Sequence, residues 1–142
     1  LAVRHRKMKN RLLTILLPLF LFSCNESKEF KTTKEESTKY ISVEINTLLE
    51  NPSRFDGKYI EATGILLYEF ENVGLYKTRA DANRKDSKNA LWTDFEEGLL
   101  PEEELEKLKN KKVIVRGLVN SASKGHLMQF AGTLEKVDYL KY

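Results

Sequence analysis

The side chains best equipped for chemistry are few: one cysteine, Cys24, two histidines, His5 and His126, and one tryptophan, Trp92. His126 follows Ser121 and Ser123 closely in the chain. A hydrolase would use it as the general base for one of those hydroxyls. A histidine next to Gly125 in a turn is more often a surface polar group, so the chain reads as a non-enzyme, with a hydrolytic enzyme using His126 kept as an alternative. Metal binding fails on ligand supply. A tetrahedral site needs several soft ligands, and only His126 remains once His5 and Cys24 are assigned to export, as argued next. No loop has the alternating acidic ligands of a calcium site, and no metal or cofactor is expected. The glutamates at 102–104 resemble a carboxylate pair, but at the start of a helix they complement its dipole. Recognition by aromatic rings is the more credible chemistry. Tyr76 and Trp92, with Asn72, Lys124 and His126 in neighbouring loops, can stack on sugar rings or bases or anchor a protein contact. The competing expectation is that both rings simply pack the core.

The cysteine belongs to a different problem. Residues 12–22 form eleven mostly apolar positions, where a membrane-spanning helix needs about 20 and an export-signal core roughly 10 to 14. Before them stand Arg4, Arg6, Lys7, Lys9 and Arg11, with no acidic residue until Glu26, the basic leader of an export signal. Pro18 argues against a buried helix. Met8-Lys9-Asn10-Arg11 reads as a more ordinary start than Leu1, which makes residues 1–7 look like extra sequence. The ending Leu21-Phe22-Ser23-Cys24 resembles the lipobox of bacterial lipoprotein precursors, apart from a bulky Phe22. The resemblance implies that residues 1–23 are cleaved off, that the Cys24 sulfur carries a diacylglyceryl group, and that the new amino terminus is usually acylated with a chain such as palmitate. A free cysteine after an ordinary secretory signal is the alternative. Each buried methylene contributes about 0.8 kcal/mol and two chains already anchor stably, so the expected address is the bacterial cell envelope. Asn25 in place of an aspartate favours the outer membrane.

This assignment changes the meaning of the charge. The whole chain is +3, but five of its 24 Lys and Arg precede Cys24, which leaves 19 against all 21 Asp and Glu, a net of −2. The basic balance belongs to targeting. Single-stranded nucleic-acid binding, which needs a clustered positive footprint, therefore stays an alternative only. One cysteine excludes a disulfide within the chain, and the length after Cys24 suits one domain.

The elements that must position these residues follow from pattern. Residues 24–40 are polar and mixed in charge and read as the lipidated cysteine and a flexible tether, whose 16 residues after Cys24 reach roughly 20–24 Å. The single domain then runs over 41–142. Ser42 is expected to cap a short helix carrying Ile41, Ile45, Leu48 and Leu49 on one face and ending before Pro52. Residues 58–70 read as a long strand: apolar residues alternate up to Gly64, then Ile65, Leu66, Leu67 and Tyr68 are apolar on both faces. A strand that changes partner at a glycine is how a small barrel closes. Shorter strands are expected at 73–78 and 90–95, separated by a polar connection over 79–89. Pro101, three glutamates and then Lys107 and Lys109 mark a helix over 101–110, with Leu105 and Leu108 inward. Val113, Val115 and Val119 mark a fourth strand, and Met128, Phe130 and Leu134 a fifth after a turn at 121–125. Three strands, a helix and two strands give a mainly β fold, a small five-stranded OB-like barrel. An open α+β meander is the alternative.

Several stretches, Asn51-Pro-Ser-Arg-Phe-Asp-Gly-Lys58, Leu75-Tyr76, Lys88-Asn-Ala-Leu-Trp92, Lys124-Gly-His126 and Phe130-Ala-Gly-Thr-Leu134, together resemble a family of small exported bacterial proteins of uncharacterised function. The resemblance spans about 43–137 and implies the same barrel; it carries no catalytic or ligand residues across. The resulting expectation is a lipid-anchored envelope protein with a non-catalytic domain that binds an envelope protein or a glycan. Its candidate ligand-binding residues are Tyr76, Trp92, Lys124 and His126.

Overall fold

The structure, a computed structural model, describes residues 26–32 and 38–142. The export signal and Cys24 lie outside the described residues. Seven strands, numbered in chain order, are β1 (Glu29–Lys31), β2 (Ile41–Ser42), β3 (Tyr59–Glu69), β4 (Asn72–Tyr76), β5 (Ala90–Phe95), β6 (Lys111–Asn120) and β7 (Gly132–Lys141). Three short helices are α1 (Ile45–Glu50), α2 (Arg79–Arg84) and α3 (Glu102–Lys107).

Five of the strands close on themselves. β3, β4 and β5 form an antiparallel meander, β5 pairs in parallel with β7, β7 runs antiparallel to β6, and β6 returns antiparallel to β3. This is the five-stranded OB-like barrel, with α1 before it and α3 between its third and fourth strands; the open meander is excluded by the β6–β3 ladder. The long strand serves two partners as its pattern required. Residues from Tyr59 to Leu66 pair with β6, and those from Ile65 to Glu69 pair with β4. Gly64 sits at the change: a Cβ there would stand 2.7 Å from Leu75 Cγ, closer than two carbon atoms can approach, so glycine lets the sheet fold over at this point. Inside the barrel Ile60, Ala62, Leu66, Leu75, Leu91, Val113, Val115, Leu134 and Leu140 form one core, joined by Leu48, Phe55, Leu99 and Leu108 from the connecting segments.

Four local expectations need correction. Ser42 does not cap α1: the Val43 N–H donates to the Glu61 carbonyl at 2.9 Å, which keeps 41–43 extended beside β3, and Glu44 takes the cap position. The polar stretch 79–89 contains α2, capped by the Thr78 hydroxyl accepting from the Asp81 N–H. The fifth barrel strand starts only at Gly132, because Leu127 and Met128 have left-handed backbones (φ of 53° and 58°) that no strand accommodates.

The expectation that residues 24–40 are a flexible tether also needs correction where the stretch is described, because Glu29–Lys31 is a strand. β1 adds to the outside of β7, Phe30 stacks on Tyr142 with ring centroids 6.3 Å apart, and Lys28 and Tyr142 exchange backbone hydrogen bonds. The side chains repeat the closure. Glu104, only 8% exposed, accepts from Lys28 Nζ at 3.2 Å, Lys107 Nζ at 2.9 Å and the Tyr142 hydroxyl at 2.7 Å. The Lys107, Tyr142 and Lys28 hydrogen bonds, in that order, pull its carboxyl down to about 2. Glu104 therefore clasps the N-terminal strand, the C-terminus and α3 together.

Candidate functional site

On β3, β4 and β5 the inward residues Leu66, Leu75 and Leu91 alternate with an outward set. That set is apolar as well: Ile65, Leu67, Tyr76 and Ala90 form a second buried cluster with Ala82 of α2 and Phe130 of the β6–β7 loop, and Trp92 packs against it. The outer face of the second and third barrel strands, where such barrels commonly take ligands, is thus covered by the chain's own helix and loop. Apolar residues on both faces after Gly64 are the sequence signature of this second layer.

Each candidate residue has a definite place in it. Tyr76 is fully buried, and its hydroxyl donates to Asn72 Oδ1 at 2.8 Å; burial pushes its pKa up. Trp92 is half-buried beneath the loop. The His126 ring lies over it at 6.5 Å and 30°, Phe130 meets it edge-on at 5.3 Å, and Gly125 approaches so closely that a Cβ would stand 2.5 Å from Trp92 Cβ. Lys124 is exposed, while its carbonyl accepts from the Phe130 N–H at 3.1 Å and closes the loop. Trp92, His126 and Lys124 therefore gather at one place, with Tyr76 underneath.

The loop reaches further than the sequence indicated. His126 Nε2 stands 3.6 Å from Glu71 Oε2, which brings the β6–β7 loop to the β3–β4 turn. Around this contact three large apolar side chains face water: Phe70 at 93%, Leu127 at 70% and Met128 at 66% exposed. Glu71, Leu127 and Met128 all hold positive φ, a conformation that costs roughly 1–2 kcal/mol per non-glycine residue. Exposed hydrophobic residues on strained backbone are costly to keep without a use. Sequence pattern missed this rim because Met128 was assigned to a strand and Phe70 to a strand end; the only available signal was an apolar residue flanked by Glu69 and Glu71.

The two serines that closely precede His126 in the chain bond to groups other than its ring. The Ser121 N–H and then its hydroxyl donate to Asp56 Oδ1, at 2.7 and 2.9 Å, and hold that carboxyl below the usual range. The Ser123 hydroxyl accepts from Thr133 Oγ1 at 2.9 Å, whereas a nucleophile must sit within hydrogen-bond reach of its base. Among the described residues no cluster of three or more His, Cys, Asp or Glu could hold a metal ion, and no helix is long and apolar enough to cross a membrane.

A second polar feature occupies the opposite wall. The Arg116 guanidinium lies 4.1 Å from the Tyr139 ring centroid and 5.3 Å from that of Tyr40, with Nε donating to Glu61 Oε2 at 2.7 Å. Tyr40 in turn donates to Asp138 Oδ2 at 2.6 Å, and burial followed by that bond raises the Tyr40 pKa. The open hollow of about 280 Å³ beside Arg116, Glu61 and Ser42 is lined by charges that already satisfy one another. It reads as a stack that fixes β2 and the segment before it on the barrel.

Compared with models of protein families, with curated proteins and with solved structures, the chain has no match in any of the three.

Proposed function

We propose that the chain is a lipoprotein of the bacterial cell envelope, held in the outer membrane by fatty chains on Cys24, and that its barrel binds an envelope protein without catalysis. The observation that carries the binding part is the rim of exposed Phe70, Leu127 and Met128 set around the His126–Glu71 contact. Phenylalanine and methionine are enriched in protein interfaces, and exposed apolar patches mark such surfaces. A glycan reading is less well supported: Trp92 is already covered by His126, Phe130 and Gly125, which leaves Phe70 as the rim's one free ring, flanked by the apolar Leu127 and Met128, where a sugar would need hydrogen-bonding groups around it. The net charge after Cys24 speaks against single-stranded nucleic acid. The engagement of both serine hydroxyls speaks against a hydrolase. The anchoring part rests on the basic, apolar and Leu-Phe-Ser-Cys order of residues 4–24.

Photo-cross-linking in intact cells tests the binding. A photoreactive residue is placed at Phe70, at Leu127 and, as a control, at the exposed Glu50 of α1. A discrete protein adduct from the first two positions and not from the third is expected. Equal patterns at all three, or no protein adduct at 70 and 127, would refute the rim as a binding surface.

A further inference from the structure

The end of the barrel where the chain enters carries an unassigned groove. Arg79, Lys109, Lys111 and Lys112 line a cavity of about 580 Å³ together with Glu26 and Ser27. All four cations are exposed, and local contacts hold Arg79, Lys109 and Lys111 in place. The Arg79 guanidinium donates to the Asn110 carbonyl, the Lys111 ammonium stands 4.5 Å from the Tyr142 ring centroid, and Lys109 pairs with Glu69. Glu69 also pairs with Lys85, so its negative charge is shared and the cluster stays cationic even with Glu26 in it.

Position gives this groove its meaning. Backbone hydrogen bonds tie Lys28 to Tyr142, and only three residues separate Lys28 from Cys24. Four Cα steps span at most about 14 Å when fully extended. If Cys24 is acylated, which is the reading this step rests on, the groove cannot drift far from the headgroups. At full reach, roughly two Debye lengths at physiological salt, the attraction is largely screened, so an anionic surface acts on these cations only because the short link lets the groove come closer than that.

We infer that this groove is the membrane-facing end of the anchored protein and that Arg79, Lys109, Lys111 and Lys112 hold the phosphate of an anionic lipid headgroup. The lipid chains fix the distance and the groove fixes the orientation, so the barrel stands on the membrane in one pose instead of swinging on a long tether.

Lysine footprinting of the intact lipoprotein, purified from membranes and reconstituted, reads this directly. The protein is exposed to an amine-reactive reagent in phosphatidylcholine vesicles with and without phosphatidylglycerol, and labelled peptides are measured by mass spectrometry. Labelling of Lys111 and Lys112 should fall at least about threefold in the anionic vesicles and recover at high salt, since screening shortens the range of the attraction; Lys58 and Lys124 should not change. The double variant Lys111→Gln, Lys112→Gln should lose the corresponding protection at Lys109. Equal labelling in both vesicles, with an acylated N-terminal peptide in the same digest, overturns the inference and leaves the anchor standing. A bare cysteine in that peptide overturns the anchor itself. Inorganic phosphate alone protecting the same lysines of the protein in detergent would reassign the groove to a free anion and overturn the membrane contact.

Discussion

Gly125 is where the account of the covered face is most exposed to experiment. Its backbone, at φ 60° and ψ −155°, lies in a region that is essentially glycine's alone, and forcing another residue into it costs about 1–3 kcal/mol. The Gly125→Ala methyl would also stand 2.5 Å from Trp92 Cβ and 2.6 Å from Cγ. Trp92 Cβ is fixed to the β5 backbone and no side-chain rotation moves it aside, so overpacking adds about 1–3 kcal/mol. The protein has a cheaper response, which is to lift the loop off Trp92. Lifting it exposes Phe130, now 5% exposed, at about 1.5–3 kcal/mol for its burial. The observed cost should therefore level off near 3 kcal/mol, a fall in melting temperature of roughly 10–20 °C for a domain of this size. Trp92 is the chain's only tryptophan, so its emission reports this one site. A red shift and faster hydrogen exchange at the Phe130 N–H are expected. Gly98→Ala is the control: that residue has φ +79° with nothing within 4 Å of the added carbon, so it pays strain alone and leaves the emission unchanged. A Gly125→Ala protein with unaltered emission and a melting temperature within about 1 °C of the parent would refute the proposed seating of the loop on Trp92.

Other perturbations test other contacts. Glu104 ionises below its ordinary 4.5, at about 2, so its clasp contributes fully above 4.5 and is lost as the pH falls from there toward 2. The urea midpoint of Glu104→Gln should lie below that of the parent at neutral pH, and the gap should close near pH 2; a pH-independent gap contradicts the clasp. Tyr40→Phe removes the 2.6 Å bond to Asp138, whose other oxygen is buried without a partner. Leaving that carboxylate less satisfied should cost about 1.5–3 kcal/mol in a urea titration, and a cost near zero would show that the bond is not made. Phe70→Ser, at a side chain 93% exposed, should change stability by no more than about 0.5 kcal/mol while abolishing the cross-link formed from position 127.

The barrel was legible because its strands carry two strong signals. Val113, Val115 and Val119 alternate as a one-sided strand must, and Gly64 separates a half with one apolar face from a half with two. α3 announced itself through Pro101 and its glutamates, although the deep seating of Glu104 did not, since its partners Lys28 and Tyr142 are distant in sequence. α2 has no apolar stripe; Ala82 is its one buried apolar residue, so periodicity could not register it. β1 depends on a single ring, Phe30, whose value comes from stacking on Tyr142 at the far end of the chain. Of the site, Trp92, His126 and Lys124 were found as neighbours, and Tyr76 proved to be the floor beneath them. The rim escaped because exposure of Phe70, Leu127 and Met128 is set by left-handed turns that no apolar pattern encodes.

The central claim, a barrel tied to the envelope by fatty chains on one sulfur, is decided by the mass of the N-terminal peptide of the protein isolated from its own membranes. The account predicts a chain that begins at Cys24 and carries a diacylglyceryl thioether. A peptide with a free Cys24 thiol, from protein recovered in the soluble fraction, would contradict it.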